Sequence, residues 1–270
     1  VKRASLHNAD QMQNLDIRIG DYVYVEKGGE IIPKITGVEL SQRTAEVILP
    51  HFPETCPDCG TRLIKDEQEA KSFCPNRDGC PTQIQAKLVH FLSRKAMNII
   101  AGDATVEQLY NRALVWNIAD FYELTQEHLM TLEGWKERSA ERFLKSIEES
   151  KKVPFERVLY ALGIRHVGET TAKKIAKRFP SIEQLQWASA EQLMSIEDVG
   201  EQIANNIIAY FNDLHNLGIV QRLLSAGVQF ETTEEQITEL SNRLEGKTIV
   251  ISGVFAKHSR DEYKAMIEAH

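Results

Sequence analysis

The chain has 270 residues, of which 42% are apolar, with 15 glycines, 8 prolines and a formal net charge of -7. That length leaves room for two or more domains with real cores, and the modest glycine and proline content excludes collagen-like or extensively disordered chains. No apolar run reaches the roughly 20 residues that a membrane-spanning helix requires, which excludes a helical membrane protein.

The chain opens at Val1 rather than at a methionine, and the expectation is a piece of a larger protein. Residues 1–52 read as a small β domain. Tyr22-Val23-Tyr24-Val25 is β-branched and aromatic, Lys27-Gly28-Gly29-Glu30 is a turn, and Ile31-Ile32-Pro33-Lys34-Ile35 resumes an apolar strand, which together predict a hairpin. Pro33 lacks a backbone donor and belongs at an edge or a bulge.

Residues 53–82 hold all four cysteines, Cys56, Cys59, Cys74 and Cys80, as two close pairs separated by a 14-residue insert. Each short pair offers two sulfurs from one tight knuckle, the arrangement a four-thiolate tetrahedral zinc site needs. Pro57 stiffens the first knuckle and Gly60 accepts the positive φ such a loop demands. Four thiolates leave no coordination position for water, so the zinc is expected to be structural. Two disulfides or four unrelated buried thiols are the alternatives, but nothing in the sequence looks secreted. A segment this small holds no core without metal.

From residue 83 to 230 the pattern is helical. Apolar residues recur at helical spacing in Ile84, Leu88, Phe91 and Leu92, in Val106, Leu109, Tyr110 and Leu114, and in Ile203, Ile207, Ile208 and Phe211. Residues 231–242 are polar and acidic and read as a linker. A new unit is expected over 243–270, with Glu245-Gly246-Lys247 as a turn, Thr248-Ile249-Val250-Ile251 as a buried strand, and Ser259 with Glu262 as a capping box. One strand and part of a helix do not fold alone.

The overall acidity conceals an uneven distribution. Residues 134–180 carry 12 Lys/Arg against 6 Asp/Glu, whereas 181–245 carry 2 against 11. The basic half is a candidate phosphate-facing surface. Ordinary solvated helix faces are the alternative.

Within the helical region one pattern recurs, an apolar turn ending in Gly followed by small and apolar helical positions. The clearest copies are Leu162-Gly163-Ile164-Arg165-His166-Val167-Gly168-Glu169-Thr170-Thr171-Ala172 and Ile196-Glu197-Asp198-Val199-Gly200-Glu201-Gln202-Ile203-Ala204. Two helices joined by a tight Gly turn present free backbone N–H groups and a helix N-terminus to a phosphate. Thr170, Thr171 and Lys173 follow Gly168 closely enough to act on the same phosphate. A third copy around Gly134 has Lys136 where a second Gly is expected, and a fourth around Gly102 is shorter. Protein-only packing of such hairpins is the alternative, though four in tandem beside a basic stretch favour duplex DNA.

These residues carry a resemblance. Val1-Lys2-Arg3-Ala4-Ser5-Leu6-His7-Asn8, Asp16-Ile17-Arg18-Ile19-Gly20-Asp21 and Ile31-Ile32-Pro33 resemble the start of the OB domain of bacterial NAD-dependent DNA ligases. The cysteine spacing is similar to that family's zinc finger, the runs from His90 to Ile99 and from Tyr160 to Ala172 to its helix-hairpin-helix domain, and the unit opening at Leu244 to its BRCT domain. The fold class this implies is multidomain α+β: a small OB-type β-barrel, a four-cysteine zinc finger, an all-α helix-hairpin-helix domain and a truncated α/β BRCT start.

The resemblance further implies a parent enzyme of replication and repair that adenylates a lysine with NAD, passes AMP to the 5′-phosphate of a nick and seals it with the 3′-hydroxyl. NAD and magnesium belong to that parent, mainly outside this chain. The lysine lies in a Lys-x-Asp-Gly motif, whereas the nearest string here, Asn76-Arg77-Asp78-Gly79, begins with Asn. No catalytic residue is therefore expected, and the chain alone should bind nicked duplex without ligating it. The cysteines would tie the β domain to the helical domain. Gly134, Arg165, His166, Gly168, Thr170, Thr171, Lys173 and Gly200 would grip the duplex backbone, and Arg3, His7, Asn8 and Arg18 would face DNA from the β domain. A cytoplasmic, nucleoid-associated monomer follows from the same resemblance. The alternative is a freestanding, non-catalytic repair or scaffolding module that binds duplex or junction DNA.

Overall fold

The computed structural model describes residues 1–27, 32–65, 71–232 and 248–253, together with Tyr263 and Ile267. Backbone contacts divide the chain into two units, Val1–Ile84 and Gln85–His270. The turn at 28–30, Ile31, most of the expected linker, the Glu245-Gly246-Lys247 turn and the Ser259/Glu262 capping box lie outside the described residues.

The first unit begins with a helix where the sequence suggested only strands. Helix α1 (Ala9–Asn14) starts because the Asn8 side chain accepts the Gln11 N–H at 2.9 Å, the bond by which Asn caps a helix. The predicted hairpin follows as antiparallel strands β1 (Val23–Lys27) and β2 (Pro33–Val38), with a bulge between Tyr24 and Val25. Pro33 opens β2 opposite Lys27, where its missing N–H breaks no interior ladder. Its carbonyl accepts from Ser5 N–H at 2.7 Å, and the Ser5 carbonyl accepts from Ile35 N–H at 3.1 Å, adding a parallel bridge on the other edge. Ile19 and Ile48 exchange two further backbone bonds. A 3₁₀ turn spans Leu40–Gln42. Ile17 is buried, while Ile19, Tyr22, Leu40, Ile48 and Leu49 are exposed. A polar cluster adds to this thin core: Arg43 holds Asp21 through two bonds of 2.8 and 2.9 Å and Asp16 at 2.5 Å. Within the cysteine segment, β3 (Ile64–Lys65) and β4 (Ser72–Phe73) form a short antiparallel pair.

Helix α2 (Pro81–Leu92) begins directly after the last cysteine, whose carbonyl accepts the Ile84 N–H at 3.0 Å. Proline at the first helical position sacrifices no hydrogen bond. Among the described residues the regular elements of the second unit are helices: α3 (Asp103–Asn111), α4 (Gln126–Met130), α5 (Glu137–Ser150), α6 (Phe155–Ala161), α7 (Glu169–Arg178), α8 (Ile182–Gln186), α9 (Ala190–Met194), α10 (Glu201–Asn212) and α11 (Leu214–Ser225). Its core is aromatic and aliphatic. Phe91, Phe121, Phe143, Phe155, Met97 and Leu159 are among its fully buried side chains, and Phe91 stacks on Phe121 at 6.1 Å. The two buried polar side chains among the described residues are satisfied: Ser146 donates to the Phe143 carbonyl and Ser150 to the Ile147 carbonyl. Ser150 also bonds the Tyr122 hydroxyl at 2.8 Å, where burial pushes that phenol up to about 12.

Two expectations change at the end of the chain. Glu231 and Thr232 are not free linker, because Ser181 and Glu231 form a bridge and Thr232 N–H donates to the Pro180 carbonyl at 2.7 Å. Residues 248–251 form no strand and are not buried, with Val250 83% exposed. No neighbouring strand occurs there among the described residues.

Candidate metal centre and nucleic-acid interface

The four cysteines converge. Their sulfurs all lie within 4.8 Å of one another. Cys56 Sγ is 3.9 Å from Cys80 Sγ, and Cys59 Sγ is 3.5 Å from Cys74 Sγ. Disulfides, with sulfurs about 2.0 Å apart, are thereby excluded, and all four thiols are free. A zinc ion at about 2.3 Å from each sulfur requires edges of about 3.8 Å, so the cluster fits the metal.

Local hydrogen bonds build each knuckle. Gly60, at φ 71, donates to the Cys56 carbonyl at 2.9 Å, and Cys56 N–H donates to the Thr61 carbonyl at 2.8 Å. In the second knuckle the Asn76 side chain accepts from Gly79 N–H at 3.0 Å and the Asn76 carbonyl from Cys80 N–H at 3.2 Å. Thr82 donates to Asp58 at 2.6 Å, joining the first knuckle to the start of α2. The Thr61 hydroxyl and backbone draw the Cys59 thiol down to about 6, whereas burial pushes Cys74 up to about 11. A cation at the centre would favour the thiolate form of all four. No fifth donor and no open position is needed, so the centre is structural.

In the helical unit, four helices start at comparable turns: α3 after Gly102, α5 after Lys136, α7 after Gly168 and α10 after Gly200. In the last three the residue two positions before the cap is left-handed: Gly134 at φ 80, His166 at 65 and Asp198 at 64. Between them sit Trp135, Val167 and Val199, the two valines buried. Gly134 thus serves the bend of its turn, while Lys136 takes the cap. There Lys136 N–H donates to Ser139 Oγ at 2.9 Å, so that backbone donor is already occupied.

Gly168 and Gly200 differ from Gly134. Their φ/ψ of -82/176 and -84/176 are open to any residue, and a Cβ at either would meet no atom within 4 Å. Neither conformation nor internal packing asks for glycine. Glycine leaves the backbone at these helix starts bare. No side chain caps either helix.

Charge separates the two. Beside Gly168, Thr170 and Lys173 are exposed, Thr171 and Arg165 are half-buried, and His166 lies 3.3 Å from the Asn206 amide. Glu169, the first helical residue, is paired with Lys95 at 2.8 Å. Around Gly200 stand Glu197, Asp198 and Glu201, and Lys174 of α7 holds the first two at 2.8 and 2.6 Å. Acidic side chains of 181–245 therefore surround the α10 turn, whereas Thr170 and Lys173 stand beside the α7 turn, so the α7 turn is the less negative of the two.

Sequence reasoning missed Arg157. Its guanidinium donates to three consecutive carbonyls of the turn after α2: Arg94 at 2.6 Å, Lys95 at 3.3 Å and Ala96 at 2.9 Å. Burial draws its pKa below the ordinary arginine value. The partners lie more than 60 positions apart in the chain, so no local pattern announced the contact.

In the first unit, Arg3 and His7 are exposed, and His7 is left-handed at φ 65. Asn8 is engaged as the cap of α1. Arg18 lies 3.4 Å from Asp16, and its N–H donates to Asp21 at 2.7 Å, which places it beside the Arg43 cluster.

Comparisons with known proteins follow the same division. The model for the NAD-dependent DNA ligase OB-fold domain matches residues 1–47, that for the NAD-dependent DNA ligase C4 zinc finger domain matches 55–81, and the helix-hairpin-helix motif matches 157–220. A DNA ligase of Parabacteroides distasonis is 54% identical over the whole chain and is itself covered over 41% of its length. DNA ligases of Phocaeicola vulgatus and Bacteroides fragilis are each 52% identical with the same coverage. The chain thus spans about 41% of the length of these curated relatives.

Proposed function

Because this chain carries the OB-fold and C4 zinc-finger domains of NAD-dependent DNA ligases, we propose that it is the duplex-holding portion of a protein that seals nicks, joining a 5′-phosphate to a 3′-hydroxyl. The observation that supports this most directly is Gly168, a glycine at an uncapped helix start with open space where its side chain would be. A phosphate oxygen can approach the N–H groups of the first turn of α7 without meeting a Cβ, and the helix dipole favours its negative charge. Thr170 and Thr171 add hydroxyls, and Lys173 adds charge. Backbone contacts of this kind position a duplex without reading its sequence, as an enzyme that acts at any nick requires.

The chemistry of joining lies elsewhere on this reading. Asn76-Arg77-Asp78-Gly79 has no lysine nucleophile, and the string is built into the second zinc knuckle. NAD and magnesium serve the complete protein, while Cys56, Cys59, Cys74 and Cys80 would hold a zinc ion that shapes their own segment. We further place the domains at 1–52, 53–82, 83–230 and 243–270, the last as a BRCT start. The chain then works as a monomer on nicked DNA at the nucleoid.

The test is binding of the chain to nicked and intact duplex across a salt series. Phosphate gripping predicts that log K falls linearly with log salt, by about 0.9 for each phosphate neutralised. Salt-independent binding, or none, would overturn the proposal.

A further inference from the structure

The α7 phosphate site contains an internal conflict. Glu169 follows Gly168 directly, at the first helical position. An acidic side chain there suits the helix dipole when the site is empty, but it repels the anion that the same N–H groups would receive. Lys95 resolves this by placing its ammonium 2.8 Å from the Glu169 carboxylate. Both side chains are largely exposed, 70% and 59% respectively, and an exposed lysine on a flexible stem holds such a pair weakly. The pairing persists only if the Lys95 backbone is fixed.

Arg157 fixes it. One planar guanidinium on α6 spans the carbonyls of Arg94, Lys95 and Ala96. Five donors in a rigid fork can satisfy several neighbouring acceptors at once, whereas a lysine ammonium at the end of a flexible stem cannot reproduce that geometry. We propose that Arg157 is a positioning residue for the phosphate site at Gly168: by clamping the 94–96 turn it keeps Lys95 on Glu169 and so removes a carboxylate's repulsion from the incoming phosphate. The inference rests on the reading of α7 as a phosphate site.

The experiment measures duplex affinity by fluorescence anisotropy, on nicked DNA at one fixed salt concentration, for the full chain. Arg157→Lys and Arg157→Gln should each weaken binding to a similar extent, about three- to tenfold for a like charge at close range in partly screened surroundings. Lys retains the positive charge, so equal losses separate positioning from general electrostatics. Adding Glu169→Gln should restore affinity in either background, because a neutral side chain needs no counter-charge. A merely structural role for Arg157 would show no such rescue. Wild-type affinity in Arg157→Lys, or a loss that persists undiminished after Glu169→Gln, would overturn the inference. If the Arg157 variants do not fold, Lys95→Gln with and without Glu169→Gln carries the same two outcomes. Gly168→Ala distinguishes the levels: unchanged affinity there refutes the phosphate site itself, whereas weakened affinity beside an unaffected Arg157→Lys refutes only the role of Arg157.

Discussion

Replacing Gly168 with alanine separates folding from binding more cleanly than any other single change. Alanine adopts φ -82 and ψ 176 without strain, and its Cβ would enter open space. At a helix cap alanine is worse than glycine by about 0.5–1 kcal/mol, and the reduced freedom of the unfolded chain returns about 0.4–1 kcal/mol. Stability should therefore change by less than about 0.5 kcal/mol, a melting shift of at most a few degrees. Binding should respond quite differently. A Cβ on the approach path holds the phosphate off the N–H groups, and one lost hydrogen bond to a charged partner is worth about 1.5–3 kcal/mol, or about ten- to hundredfold in Kd. Gly163→Ala is the control, since its φ of 67 costs alanine about 1–2 kcal/mol in stability with no phosphate role to lose. Paired thermal melts and anisotropy titrations would read both quantities. If Gly168→Ala is folded and binds nicked duplex like the parent, the backbone-exposure argument is wrong.

Three further outcomes follow from the first unit. Native mass spectrometry should find one zinc per chain, lost in Cys80→Ser, and chelation should expose 55–81 to proteolysis because metal binding supplies the folding energy of such a segment; an unchanged digest with EDTA would contradict this. Gly79→Ala places a Cβ 2.7 Å from Asn76 Oδ1, which must release the Gly79 N–H to make room, so zinc should pass more readily to a competing chelator, with equal retention as the refuting result. The Arg43 hydrogen bonds hold Asp21 and Asp16 below the usual carboxylate range. Their contribution is present in full above the ordinary value of about 3.9 and is lost as pH falls through the depressed values, so Arg43→Met should flatten the dependence of melting temperature on pH in acid; parallel profiles would exclude the cluster.

What was legible in the sequence is what local pattern encodes. The β1–β2 hairpin followed from β-branched, aromatic and apolar runs on either side of a Gly turn, and the zinc cluster from cysteine spacing, because both depend on residues close in the chain. Helix α1 was missed because its signal is one capping Asn8 before a short, weakly amphipathic run. At 248–251 the residues favour a strand, and the described backbone there forms none. Within the hairpins, Gly168 and Gly200 looked equivalent in sequence and are equivalent in backbone. Their difference lies in which charges surround them, and it depends on contacts such as Lys174 to Asp198 and Lys95 to Glu169 that span 24 and 74 positions.

The left-handed residue before three of the helix caps carries a consequence for how such turns diversify. Glycine, histidine and aspartate occupy that position with φ values between 64 and 80. One backbone template therefore accepts an uncharged, a titratable and an acidic residue at the same socket, for about 1 kcal/mol of local strain in the latter two. Duplicated turns of this kind can acquire separate chemical identities by single replacements at one outward-pointing position, while the bend that docks each helix stays unaltered.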